Sequence, residues 1–144
     1  MRKWINLLES YHQAHYIDIS EDGCAVEGYV VETAAEQLEN WLSQRHRLDL
    51  PGFASEMRSR YTTIAFLNNI NVDDDARGQG LGNQMMEGFI DEASQHGAEA
   101  IILMADLAEQ QEDGFDLVRW YQGWGFTIIP TSSNDPLMIM EMDR

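Results

Sequence analysis

Lysine is nearly absent from this chain: Lys3 is the only one in 144 residues. Arginine does not compensate, because nine basic residues stand against 25 acidic ones and the net charge is −16. Six of the nine lie in the first 60 positions, which leaves Arg77, Arg119 and Arg144 against fifteen acids in the remainder. Such a surface repels phosphate backbones and anionic lipid, so neither a nucleic-acid partner nor a membrane partner is expected. It attracts cations, so a cationic small molecule or a basic protein fits as a partner; the plainer reading is that the acidity serves solubility. Cysteine is equally scarce. Cys24 stands alone, no internal disulfide can form, and a reducing, cytoplasmic setting is expected. No run of about 20 apolar residues occurs, so no membrane-spanning helix is expected. The opening segment sets Trp4, Leu7, Leu8 and Tyr11 on one stripe, and Glu9 interrupts it. It reads as an amphipathic helix rather than a signal peptide.

Hydrophobic residues make up 44% of the chain, which suits a packed core. The length suits one domain, residues 1–144, burying about two thirds of its surface on folding. Periodicity predicts a helix over 2–13, strands over 15–20 and 24–32 around a turn at Glu21-Asp22-Gly23, and a helix over 33–47 with Thr33 as its cap. Pro51-Gly52 marks a loop. Residues 61–72 are rich in β-branched and apolar types and read as a strand. A polar loop over 73–82 leads to a helix over 82–96, with Met85, Met86, Phe89, Ile90 and Ala93 facing inward and Gly97 as its stop. The apolar run 100–105 reads as a strand buried on both faces. A helix over about 115–123 and strands over 125–129 and 137–142 complete the chain. The last strand is apolar on both faces, which fits burial or a homodimer contact. The pattern is that of an α/β layered domain with a mixed sheet flanked by helices.

The chemistry concentrates in the order strand, glycine-rich turn, helix. Gly78, Gly80 and Gly82 alternate within Arg77-Gly78-Gln79-Gly80-Leu81-Gly82. Glycine admits positive φ and close approach to the backbone. A helix start leaves its first amides unpaired and carries a partial positive charge. Together they make a cradle for a phosphate or pyrophosphate, and no lysine is needed. A nucleoside-triphosphate loop needs a lysine after its last glycine, and none follows Gly82. A dinucleotide turn needs G-x-G-x-x-G directly after the strand; here the spacing is G-x-G-x-G, with five residues between Val72 and Gly78.

The segment INVDDDARGQGLGNQMMEGFIDEA resembles the acetyl-CoA-binding motif of the GNAT superfamily of N-acetyltransferases, with Arg77, Gly80 and Gly82 at its fixed positions. The resemblance implies a GNAT-like mixed central sheet. It implies that the amides of Gly78 to Asn83 hold the coenzyme A pyrophosphate, and that the backbone of Ile70, Asn71 and Val72 pairs with the pantetheine arm. Downstream, LVRWYQGWGFTII is similar to the family's F-Y-x-x-x-G-F signature, through Trp120, Tyr121, Gly125 and Phe126. By that likeness Tyr121 is the acid that protonates the departing thiolate, a role suited to a nearby O–H donor; the alternative is a core aromatic. The implied reaction is transfer of an acetyl group from acetyl-CoA to an amine, by direct attack in a ternary complex. The acceptor is a small cationic amine or a protein lysine or N-terminus. The alternative is a non-catalytic coenzyme A-binding or acidic protein-interaction module. The C-terminal half also resembles, more weakly, short phage-type acetyltransferases.

The likeness covers 61–144, the acetyl-CoA half. Residues 1–60, which would shape the acceptor side, depart from the family's usual order. The strand before the turn carries Asn68, Asn69 and Asn71 and no acid, where many members have a glutamate. A water held by these asparagines, Asp106 or, more weakly, Glu32 is then the proton acceptor. His12 and His15 have an i, i+3 spacing with no third ligand nearby in sequence, so no metal is expected.

Overall fold

The computed structural model describes residues 14–21, 23–33, 53–72, 80–105, 117–129 and 136–142. The helices expected over 2–13 and 33–47 lie outside the described residues. The elements are β1 (Ala14–Glu21), β2 (Cys24–Glu32), α1 (Phe53–Arg60), β3 (Thr63–Val72), α2 (Leu81–Gln95), β4 (Ala100–Met104), α3 (Leu117–Trp124), β5 (Thr127–Ile129) and β6 (Leu137–Glu141). Among the described residues six strands form one sheet in the order β1-β2-β3-β4-β6-β5. Of these, only β3 and β4 run parallel; the other neighbours are antiparallel. A parallel pair needs a crossover, which α2 supplies.

The period-2 rule sorts the core into two faces. On one lie Tyr29, Val31, Ile64, Phe66, Ala100, Ile102 and Leu137, joined by Met57 of α1. On the other lie Val26, Val30, Ala65, Leu67, Ile101, Leu103, Met138 and Met140, covered by Met85, Met86, Phe89 and Ala93 of α2 and by Tyr121 of α3. Because both faces are covered, Ile64 to Leu67 and Ala100 to Leu103 are buried without interruption. Burial inside one chain thus accounts for the apolar β6, with Met138 and Met140 in the core.

Helix α1 is an addition to the sequence reading. Its string FASEMRSR is polar, and Met57 is the one buried residue among the side chains described there. The helix is tied to its surroundings by Arg58, whose Nε donates to the Thr33 carbonyl at 2.7 Å, and its last turn is closed by Tyr61 N–H donating to the Met57 carbonyl at 2.9 Å. Thr33 is itself buried, and its hydroxyl donates to the Tyr61 carbonyl at 2.7 Å.

Both later helices stop in the same way. At the end of α2, Gly97 N–H donates to Ser94 and Ala98 N–H to Ala93; after α3, Gly125 N–H donates to Gln122 and Phe126 N–H to Tyr121. These are Schellman pairs, with glycine at φ 85° and 111°. Gly97 is thus the stop the sequence announced.

Candidate functional site

The site grows from an irregularity in β3. Leu67 pairs with Gly28 of β2 and Asn69 with Glu27, so Asn68 is an extra residue in the ladder. A bulge bends its strand and changes which side chains face which way. Before it, Ala65 and Leu67 point to the helix-covered face; after it, Ile70 does. Gly28 sits at the bend because a Cβ there would collide with the Phe66 carbonyl and come within 2.6 Å of the Phe89 ring.

The ladder between β3 and β4 pairs Ala65 with Ile101 and Phe66 with Ile102. β3 then continues to Val72 along β2, and β4 ends at Met104. Past the bulge, the β4-facing edge of β3 has no ladder partner among the described residues. Parallel neighbours that part in this way leave an opening between them. An extended chain with amide groups can hydrogen-bond to such an edge as an added strand does.

Helix α2 begins beyond that opening. Gly80 is its N-cap at φ 76°, ψ 10°, in the left-handed region, and no side chain caps the helix. The first intrahelical bond runs from Gln84 N–H to the Gly80 carbonyl at 3.1 Å. The amides of Leu81, Gly82 and Asn83 therefore lack intrahelical acceptors. No acidic residue occupies this first turn, although the chain is strongly acidic. An anion at the positive end of the helix meets no carboxylate from that first turn.

The expected site residues divide as follows. Ile70 is half-buried against the α2 side and pairs with Val26; Asn71 is exposed and pairs with Ala25; Val72 pairs with Cys24 and ends β3. Leu81 is half-buried, and Asn83 is exposed. Arg77, Gly78 and Gln79 lie outside the described residues, as does Asp106. Tyr121 is 5% exposed, in the same cluster as Leu67, Leu103 and Ile70, with the Phe126 ring edge-on at 5.8 Å and Trp120 at 5.2 Å. Its backbone carbonyl is one of the two that close α3, so the turn Gly125-Phe126 sets where this tyrosine stands.

Glu32 does not join the site. It pairs with Thr63, at the opposite end of the β2–β3 ladder from Val72, about 30 Å along the strand. A different carboxylate is brought near the bulge. Glu27 pairs with Asn69, on the face opposite α2, and Tyr16 Oη donates to its Oε2 at 2.6 Å. Asp18 pairs with Glu27 across β1. The signal in the sequence is a single charge inside the apolar strand CAVEGYVV; its neighbours Tyr16 and Asn69 come from elsewhere in the chain.

The acetyltransferase (GNAT) domain family matches residues 26–128. No curated protein matches the sequence significantly. Several solved structures share the fold. PaiA N-acetyltransferase from Thermoplasma acidophilum, in complex with coenzyme A, is 12% identical with a TM-score of 0.57, over 97% of this chain and 68% of that one. Agmatine N-acetyltransferase, as the S171A mutant, is 11% identical with a TM-score of 0.59, over 98% and 82%. The anti-CRISPR protein AcrVA5 is 18% identical with a TM-score of 0.52, over 88% and 98%.

Proposed function

Since the chain belongs to the GNAT acetyltransferase family, we propose that it moves the acetyl group of acetyl-CoA to a primary amine by direct attack, both substrates being bound together. The observation that carries this reading is the parting of β3 from β4 past the bulge, next to a helix start with no side-chain cap. The opening suits the pantetheine arm, whose amides would pair with the backbone of Ile70 to Val72. The amides of Leu81 to Asn83, with Arg77, Gly78, Gln79 and Gly80 before them, would hold the pyrophosphate.

Helices α2 and α3 fill one face of the sheet, and on the other Met57 of α1 packs among Tyr29, Val31 and Ile64, so the amine approaches that second face at its other end, where Tyr16, Glu27 and Asn69 lie. Asp18 and Glu27 make that approach acidic, which favours a cationic acceptor. An amine must be neutral to attack. Glu27, oriented by the Tyr16 hydroxyl, is the carboxylate this reading assigns to take its proton. The nitrogen lone pair then forms the C–N bond, the C–S bond breaks, and Tyr121 gives the leaving thiolate a proton.

The test is calorimetry with acetyl-CoA followed by thiol release with a panel of amines. Agmatine and arylalkylamines come first, since proteins sharing the fold are named for them. Wild type binds acetyl-CoA and turns over at least one amine. Tyr121→Phe and Glu27→Gln each lower kcat by about 100-fold while acetyl-CoA binding holds. Absence of acetyl-CoA binding defeats the proposal. Binding without turnover of any amine would favour a coenzyme A-binding module.

A further inference from the structure

Sequence spacing gave the histidines no common ligand partner, but the fold does. His15 lies in β1, not on a helix, and His12 is outside the described residues. β1 packs beneath α2, with His15, Ile17 and Ile19 on its helix-facing side by the period-2 rule. Ile17 and Ile19 join the α2 cluster, and Ile19 Cδ1 lies 3.2 Å from where a Cβ on Gly88 would be. The two elements run in opposite directions. Four residues back along β1 from Ile19 is His15, and one and two turns along α2 from Gly88 are Glu92 and His96. Two residues of strand rise about 6.6 Å. One turn of helix rises about 5.4 Å. Packing at Gly88 therefore carries His15 to Glu92 and His96.

The meeting is close. His15 Nε2 lies 3.8 Å and His96 Nε2 3.7 Å from Glu92 Oε1. The imidazole rings stack at 3.6 Å, 21° from parallel. Donor atoms of the three side chains fall within 4.8 Å of one another. We propose that His15, Glu92 and His96 bind one divalent transition-metal ion of the zinc type, which fastens β1 to the C-terminal turn of α2.

Three arguments support the assignment. The donor set, two imidazole nitrogens and one carboxylate oxygen, suits zinc and leaves a fourth position for water. Tetrahedral donors at about 2.1 Å from zinc stand about 3.4 Å apart, so the separations of the two nitrogens from Glu92 Oε1 close by only a few tenths of an ångström, while the stacked rings must turn so that both in-plane lone pairs meet the ion. The side chains are about two-fifths exposed, which leaves them room to do so. Glu92 and His96 are spaced i, i+4 on one helix face, a natural two-point chelate. The third argument is charge. His96 is the C-cap, at the negative end of the α2 dipole, and the last turn carries no basic residue. Two neutral rings have no charge attraction for each other, and two protonated rings repel; a shared cation removes the conflict. The site is at the far end of α2 from Gly80, about 22 Å away along the helix axis, so its role is to stabilise the fold.

The test uses the full chain, freed of metal with a chelator, and zinc chloride as the probe. Wild type binds one equivalent, and its Tm rises by several degrees. His15→Ala and His96→Ala each weaken zinc binding by about tenfold or more and lose the Tm shift. Magnesium, which prefers oxygen ligands, reproduces neither effect. A measurement on the wild type alone guards against misfolded variants: zinc shifts the imidazole proton resonances of His15 and His96 and leaves those of His12 and His46 in place. No heat with zinc, unchanged affinity in both variants, or shifts confined to His12 and His46 would each overturn the assignment.

Discussion

Tyr61 closes one end of the core with a hydroxyl that donates to Glu141 Oε1 at 2.6 Å. Burial first, then the bond to Glu141 and its charge, push the phenol from 10.0 up to about 12, with Arg60 opposing. A raised value means that the folded state favours the protonated form. Its contribution to stability is therefore complete below pH 10 and is lost as pH rises through about 12. Ultraviolet titration of tyrosinate should find at least one tyrosine ionising near pH 12, and Glu141→Gln should bring that one down. If all five tyrosines titrate together near 10, the burial described for Tyr61 is wrong. At the same scale, Tyr121, Gly125 and Phe126 have a dual reading. The residues that resemble a family signature are also the C3, C′ and C″ positions of a helix stop. A turn that requires a glycine there also fixes the tyrosine's place, so the motif was readable from residue types alone.

Helix α1 is the element whose formation depends most on its surroundings. Eight residues are too few to be helical alone, and its sequence lacks a strong apolar stripe. Met57, packed with Tyr29, Val31 and Ile64, is its described anchor. Met57→Ala should cost about 2–4 kcal/mol, read as a lower denaturation midpoint. A loss within the range of surface substitutions, about 0.5 kcal/mol, would show that α1 is held by something else. The strands were legible because alternation and unbroken apolar runs report on faces. The bulge at Asn68 was not, because it is defined by a register with β2, and one string of asparagines says nothing of its partner.

At the scale of the molecule, charge is the dominant feature. With a net charge of −16, the cationic acceptor proposed above would be drawn in and anionic acetyl-CoA would be repelled, with the start of α2 offering it a local positive feature. Raising ionic strength from about 0.01 M to about 0.15 M shortens the screening length from ~30 Å to ~8 Å. KM for a dicationic amine should rise several-fold over that range, while KM for acetyl-CoA falls or holds. A KM for the amine that ignores salt would remove the acidic approach past Asp18 and Glu27 from the account. Among the described residues no helix is long and apolar enough to cross a membrane.

What the sequence settled alone is what depends on neighbours along the chain. The strand Thr63–Val72, the helix Leu81–Gln95 opened by Gly80, the stop at Gly97, and the run of buried residues at 100–103 all follow from local sterics and periodicity. The tertiary structure decided what depends on register and on distant partners. It placed Asn68 as the extra residue past which β3 no longer pairs with β4, it set Glu27 rather than Glu32 beside that bulge, and it brought His15 to Glu92 and His96. Spacing along a chain encodes φ, ψ and face, but which faces meet is determined only when the sheet and helices pack.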